Sequence, residues 1–398
     1  MSGGAGGGGR EVFLVANSVD RPGGVTGWTH RMAGLFAARG HRVRVIGVVP
    51  GDDGSGHPHR PVGRWPYPVH TLHRRHPLPP GGGRGRWPLR RVDPVRQGRR
   101  LVRAAMQRRG AAWLSALLAD AGPGAVLIVA QVWAMEWVAR AATDHLTVIG
   151  MSHESYEASR ASSRHRRVLR HYRDVDRLVV LTREDADRWA ADGLTQVDWL
   201  PNPLPLDPDT TPPSPRTAPV VAYLGRLSDE KGVDLLLAAW AQVSPRHPHW
   251  RLHLHGTGDP AQERALRARS HTLGVADTVR WLGWTDDVAG ALRGASVLAL
   301  PSRAEGFPLA LLEAMALGVP CAAFDCAPGV REIVRDGVDG LLAPPGDVDA
   351  LARRLETLLA DAALRHRLGE AARRGVVERY GPERIVRCWE ELFAFLER

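Results

Sequence analysis

Short apolar, β-rich runs alternate with stretches of helical periodicity along this chain, and the alternation breaks once before it restarts. The first run is EVFLVAN, residues 11–17; a glycine-containing turn leads into a helical pattern that closes at Gly40, and RVRVIGVV follows. This is a β-α-β unit, the start of a parallel sheet. The runs AVLIVA (125–130), LTVIGM (146–151) and DRLVVLT (176–182) are nearly continuous in apolar character, as strands covered on both faces must be. Between 201 and 219 the chain reads PNPLPLDPDTTPPSPRTAP, too dense in proline for a helix or a central strand. Beyond it the alternation resumes with VVAYLG (220–225), WRLHLHG (250–256), TVRWLG (278–283), SVLALPS (296–302), VPCAAF (319–324) and GLLAPPG (340–346).

The pattern predicts an α/β chain of two doubly wound domains facing each other across a cleft. The expected division is a flexible Gly-rich tail at 1–10, a first domain at 11–200, a linker at 201–219, a second domain at 220–378 and a closing helix at 379–398 that can return to the first domain. A length of 398 residues suits two cores better than one. The balance of 44% hydrophobic and 24% charged residues is that of a globular protein. No run is long and apolar enough for a membrane span or a signal-peptide core. Three cysteines, Cys321, Cys326 and Cys388, have neither disulfide nor metal-ligand spacing, which points to a reducing, cytoplasmic setting.

A net charge of +10 implies an anionic partner. Residues 81–110, GGGRGRWPLRRVDPVRQGRRLVRAAMQRRG, hold ten arginines against the single Asp93. From Pro94 the segment has helical character, with Val95, Leu101, Val102, Ala105 and Met106 expected as its apolar side and arginines elsewhere. Residues 84–109 are therefore candidates for peripheral contact with an anionic membrane or a polyanionic acceptor, although a solvated helix face in an Arg-biased protein explains them equally. Nucleic acid is not expected, because no binding motif and few interleaved aromatics accompany the charge.

Of the 53 basic side chains other than histidine, only Lys231 is a lysine. It lies in AYLGRLSDEKG, directly after an expected strand, where ligands of open α/β sheets bind. Gly225 allows the chain to turn, and Arg226 and Lys231 place two cations within six positions. A compact ammonium fits a tight phosphate site that a broad guanidinium does not. The glycine spacing matches neither a Walker loop nor a dinucleotide fingerprint. A second candidate, PSRAEGFPLALLEAMALGVP (301–320), sets Glu305 at a strand-to-helix turn. Gly306 there permits close backbone approach, Pro308 suits a first helical turn, and the free amides beyond favour a phosphate. Glu313 projects from the same helix near the same cleft, and the two carboxylates suit hydroxyl recognition on a sugar and a ribose; dipole complementation by a helix-terminal charge is the plainer alternative.

The pairing of GRLSDEKG with EGFPLALLE, Glu then seven residues then Glu, resembles the retaining nucleotide-sugar glycosyltransferases of glycosyltransferase family 4. The resemblance spans nearly the whole chain and is strongest from about 220 to 345. It implies a GT-B fold of two facing Rossmann-like domains. It also implies that Arg226 and Lys231 bind the donor diphosphate, that Glu305 holds donor-sugar hydroxyls, that the amides of Gly306, Phe307 and Leu309 line sugar and phosphate, and that Glu313 takes the ribose hydroxyls. Gly23 and Gly24 of PGGVTGW correspond to a family loop near the donor phosphates and acceptor. His153 of GMSHESYEASR corresponds to a histidine beside the reacting sugar, though a lone histidine is as often structural. Gly256 and Gly258 of HGTGDP match a glycine turn in the donor domain. The neighbouring His247, His249, His253 and His255 are expected at the surface, with no ligand set for a metal.

One stretch departs from the family pattern: FDCAPGVREIVRDGVDGLL, with Asp325, Cys326, Pro328, Gly329, Arg331 and Glu332, where many members carry a Gly-Gly-Pro-Glu type loop. The variant is similar to the branch acting on wall polymers and lipid-linked glycans, such as poly(glycerol-phosphate) glucosyltransferases. The expected activity is retaining transfer of a hexose from a UDP-sugar to a cell-envelope glycan, lipid-linked or polyol-phosphate acceptor. No Asp-x-Asp motif stands at a strand end, so no cofactor or metal is expected. A small-molecule transferase of secondary metabolism would share every donor residue. An epimerase conflicts with the glutamate pair, and a noncatalytic glycan- or membrane-binding scaffold conflicts with the intact Arg226, Lys231, Glu305 and Glu313 set.

Overall fold

The computed structural model describes residues 9–21, 23–51, 65–76 and 94–397. Residues 1–8 of the expected tail and 84–93 of the arginine-rich segment lie outside the described residues, as do the side chains of 94–96.

The strands assemble into two sheets. The first contains β1 (Glu11–Ala16), β2 (Arg42–Gly47), β3 (Val69–Thr71), β4 (Val126–Val129), β5 (Thr147–Met151), β6 (Arg177–Val180) and β7 (Val197–Trp199), in the order β3-β2-β1-β4-β5-β6-β7. The second contains β8 (Val220–Leu224), β9 (Arg251–His255), β10 (Val279–Gly283), β11 (Val297–Leu300), β12 (Cys321–Phe324) and β13 (Leu341–Ala343), in the order β10-β9-β8-β11-β12-β13. Every pairing between neighbouring strands is parallel. In register, Leu14 faces Val45 on one side and Ile128 on the other. The strand order reverses direction between β1 and β4 in one sheet and between β8 and β11 in the other, and such switch points open a crevice beyond the strand ends.

The apolar runs are continuous because both sheet faces are covered. Val12, Leu14 and Ala16 enter one core cluster, while Phe13 and Val15 enter another on the opposite face. The first of these clusters continues into the second sheet through Ala222, Leu298 and Leu300, so one apolar body joins the two halves. The helix Pro382–Leu396 is part of that joint. It begins with proline at its first turn and buries a stripe of Ile385, Val386, Trp389 and Phe393. Trp389 meets Phe36 edge-on at 6.3 Å, and Arg39 pairs with Glu390 at 2.8 Å. The helix therefore closes the chain on the first half.

Two features differ from the sequence reading. Strands β3 and β7 were not expected, since three residues with half-buried or exposed side chains make no apolar run. The helix Pro94–Leu118 is present, but its expected apolar side faces outward: Leu101 is 70% exposed, Val102 48%, and Ala105 is exposed too. Gln107, Gly110, Ala111, Leu114 and Leu118 turn inward instead. A Cβ at Gly110 would lie 2.8 Å from the Trp137 ring and 2.7 Å from His73 Nε2. Arg103 and Gln107 both donate to Glu136, at 2.8 and 2.9 Å. Close approach and a paired carboxylate decide this face, rather than the count of aliphatic residues.

Candidate functional site

The two motifs of the second half emerge on either side of its switch point, one after β8 and the other after β11. After β8 the chain makes a single 3-10 turn, Asp229–Lys231, which ends at Gly232 in the left-handed region with φ 65°. A side chain at Gly232 would be strained by that φ and would overlap the Pro301 carbonyl, so glycine is required where the two loops touch. The contact brings Lys231 to Glu305. The ammonium donates to Glu305 Oε1 at 2.8 Å and lies 3.5 Å from Glu230 Oε1. Ser302 Oγ donates to the same Glu305 oxygen at 2.7 Å. With the Lys231 and Glu305 side chains 17% and 8% exposed, this is a sheltered, hydrogen-bonded cation held at the strand ends.

Arg226 does not join that pair. Its side chain is exposed, and its charge acts on Glu154 across the cleft. Gly256 and Gly258 lie behind the motif loop: a Cβ on either would overlap the Gly225 or the Leu227 carbonyl. Gly225 donates its amide to the His255 carbonyl at 3.1 Å, and Leu227 donates to Thr257 at 2.9 Å. These glycines brace the loop that carries the cations. Tyr223 adds a further brace by donating to the Arg226 carbonyl at 2.7 Å.

The turn after β11 leads through Gly306, Phe307 and the N-cap Pro308 into the helix Leu309–Ala316. A Cβ on Gly306 would overlap the His153 carbonyl oxygen, so this turn is seated directly on the end of β5 in the first half. Gly24, at the start of the helix Gly24–Ala38, faces Leu309, whose Cδ1 would lie 3.8 Å from an added Cβ. Two helix N-termini thus converge from opposite sides, and both direct free amides toward the cleft. The Phe307 side chain is not part of that opening: it is buried and packs edge-on against Tyr380 at 5.4 Å.

Glu313 is half-buried one helical turn further on. Burial pushes its carboxyl up to about 8. His153 lies edge-on to Trp28 at 4.8 Å, and burial lowers its imidazole to about 4, so the ring is neutral near pH 7. Among the described residues its buried Nε2 has no hydrogen-bond partner, and neither has Ser228 Oγ in the lysine loop. Buried polar atoms are ordinarily satisfied, and unpaired ones at a cleft are what a polar ligand would complete. Glu154 is held above the ordinary carboxylate range by burial, against the pull of Arg164, which lies 2.7 Å away. The Cys326 thiol is pushed up to about 12 by burial and by the Glu305 charge, which leaves it protonated.

The departing stretch bridges the halves. Arg331 meets Asp325 at 3.0 Å and Glu184 of the first half at 3.0 Å, and the Arg183 amide donates to Glu332 at 3.2 Å. His247 pairs with Glu356 at 2.9 Å, and no group of three metal-ligating side chains occurs among the described residues. Ser228, Ser302, Glu230, Glu154 and Trp28 were not anticipated from sequence. For the two serines, Glu230 and Glu154 a signal was present, because each lies within four residues of a candidate residue at a strand end; Trp28 becomes a site residue only through its packing on His153, far away in the chain.

Residues 210–375 match the family of group 1 glycosyl transferases. The chain is 40% identical over 227 residues to an exopolysaccharide phosphotransferase of Streptomyces coelicolor, covering 56% of this chain and 24% of that one. It spans between 24% and 60% of the length of four of the curated relatives it matches. Against a phosphatidyl-myo-inositol mannosyltransferase of Mycobacterium leprae it is 31% identical over 377 residues, 91% of both chains. In fold it is similar to S. aureus TarM, crystallised with UDP and alpha-GlcNAc-glycerol, with a TM-score of 0.79 at 14% identity over 96% of this chain and 99% of that one. Two parallel sheets with facing switch points, the family match over the second half and a relative aligned along nine tenths of its length together show that this chain belongs to the group 1 glycosyl transferases and has the GT-B fold.

Proposed function

We propose that the chain is a retaining hexosyltransferase of family 4. It would move a hexose from a nucleoside diphosphate sugar, UDP-linked, to a hydroxyl of a cell-envelope glycan, lipid-linked or polyol-phosphate acceptor on the cytoplasmic side. The observation that carries this reading is the Lys231–Glu305 pair at 2.8 Å, whose glutamate lies in the turn that leads into the helix Leu309–Ala316. In this reading the diphosphate takes the Lys231 charge, joined by Arg226 and the amides at Gly306, Phe307 and Leu309. Glu305, released toward the sugar, accepts hydroxyl hydrogen bonds, and Glu313 accepts those of the ribose. Neutral His153 offers its unpartnered Nε2 to the sugar. The acceptor oxygen bonds to the anomeric carbon on the face the diphosphate leaves, the bond from that carbon to the phosphate oxygen breaks, and the hydroxyl proton passes to the departing phosphate. Preorganised cations and amides at the developing charge supply the rate, so no enzymic nucleophile and no metal is required.

The acceptor class is supported by relatives rather than by geometry. The M. leprae relative is named for phosphatidyl-myo-inositol, and TarM was solved with a glycerol glycoside and UDP. The test is incubation with 13C-labelled UDP-glucose and, separately, with phosphatidylinositol, glycerol-phosphate oligomers and small aglycones, followed by NMR of the anomeric carbon. An α-linked product on a phosphate-bearing acceptor is expected. A β-linked product, or an epimerised donor without transfer, would overturn the reading.

A further inference from the structure

The lysine turn after β8 and the glutamate turn after β11 are tied together by Arg303, two residues before Glu305. Its amide donates to the Glu230 carbonyl at 2.8 Å. Its guanidinium donates through Nη1 to the Asp229 carbonyl at 2.6 Å and to Asp234 Oδ1 at 2.8 Å, and through Nη2 to Asp234 Oδ2 at 2.7 Å. These four bonds reach across to the lysine turn and grip it on both sides of Lys231. Asp234 stands in the first turn of the helix Val233–Val243, where a carboxylate suits the helix dipole whatever its partner. The dipole does not account for the fork. Two parallel bonds from one planar guanidinium to both carboxylate oxygens fix distance and orientation together, which a single ammonium cannot do.

The receiving end of the fork is itself held. Arg269, on the helix Pro260–Thr272, donates its Nε to the Asp234 carbonyl at 3.2 Å. Burial works to raise the Asp234 carboxyl, and the Arg303 fork more than offsets it, leaving it below the ordinary carboxylate range. On the other side of the contact, Glu305 Oε1 accepts from both Lys231 and Ser302. The members of the Lys231–Glu305 pair are thus carried by two turns whose spacing Arg303 sets. In the transfer reading that spacing separates the group that takes the diphosphate from the group that takes the sugar. The ammonium must turn from Glu305 to the phosphates while its backbone stays in place.

We propose that Arg303 and Asp234 form a positioning pair for the donor: their fork fixes the lysine turn against Glu305, so that diphosphate and sugar are gripped at once. The pair touches neither part of the donor itself, and its role rests on the transfer reading. Lys231 is the chain's only lysine, so labelling the full chain with 13Cε-lysine gives a single lysine signal that reports the turn directly. The experiment records that signal for wild type, Arg303→Gln, Asp234→Asn and the double variant, and measures UDP and UDP-glucose binding by calorimetry for these proteins and for Arg303→Lys. Both single substitutions should move the signal, and the double variant should move it no further than Arg303→Gln, because all three break one fork. The ratio of the UDP to the UDP-glucose dissociation constant should fall about tenfold, since only the sugar nucleotide needs both turns in register. Arg303→Lys should not restore it. The Arg303 and Asp234 side chains are 36% and 29% exposed, so melting temperatures should stay near wild type; should Arg303→Gln melt lower, the isosteric Asp234→Asn decides. A purely structural role would weaken both nucleotides by the same factor, and that result overturns the proposal. So does a lysine signal that the substitutions leave in place, or a wild-type ratio in Arg303→Lys. A wild type that binds neither nucleotide would overturn the transfer reading and this donor role with it, whereas the other failures leave that reading standing.

Discussion

Lys231 stands 17% exposed against two carboxylates, a place for a compact charge. In the proposed mechanism its loss removes a preorganised cation from the leaving diphosphate. Lys231→Ala is expected to lower kcat about 100- to 1000-fold with little change in acceptor KM. Lys231→Arg should still lose at least tenfold, because the broader fork cannot keep the Glu305 geometry; steady-state kinetics on the three proteins checks both. Glu313 gives a pH signature. Its folded carboxyl holds a proton to about 8, whereas the unfolded one loses it near 4.5. The folded state therefore binds more protons in that window, and stability falls as pH rises through it. Glu313→Gln should raise the melting temperature of the ligand-free protein, with a gap that widens from pH 5 to pH 8. If ribose hydroxyls take this carboxylate, donor binding releases a proton, and calorimetry in buffers of differing ionisation enthalpy should show it below pH 8.

Among elements, the turn at Gly306 and the closing helix join the halves by different physics. Gly306→Ala places a methyl on the His153 carbonyl, where backbone rather than a flexible side chain must give way. We expect a loss of about 1–3 kcal/mol in urea unfolding, with a larger relative loss of activity, because the turn carries the site. Trp389 is fully buried against Trp28 and Phe36, and Trp389→Ala should cost about 3–5 kcal/mol. The long central strands were legible because burial on both faces writes unbroken apolar runs such as VLIV and CAAF. Edge strands β3 and β7 were not, since they bury too little. The lysine and glutamate motifs pair in the sequence through the family resemblance alone; that they follow adjacent central strands, β8 and β11, is visible only in the fold. The meeting of Gly306 with His153 and the inward turn of Gln107 could not be read, because each depends on a surface far away in the chain.

At the scale of the whole molecule, the halves share a continuous core, and polar pairs cross between them. Arg331 and Glu184 are 42% and 40% exposed, so their pair should contribute less than about 1 kcal/mol, and Glu184→Gln should leave the melting temperature nearly unchanged. The linker is tied more firmly: Ser214 donates its amide to the Leu317 carbonyl at 2.8 Å, and Leu204 donates to Tyr380 at 2.9 Å. In the proposed function the cleft between these halves binds a nucleoside diphosphate sugar through Lys231. A thermal-shift panel of nucleoside diphosphates and their sugars, with and without magnesium, on wild type and Lys231→Ala, tests it directly, because a ligand of the folded state alone raises the melting temperature with its affinity. Selective stabilisation by a UDP-sugar, independent of magnesium and lost in the variant, is expected. No shift with any nucleotide, or a shift that Lys231→Ala preserves in full, would contradict it.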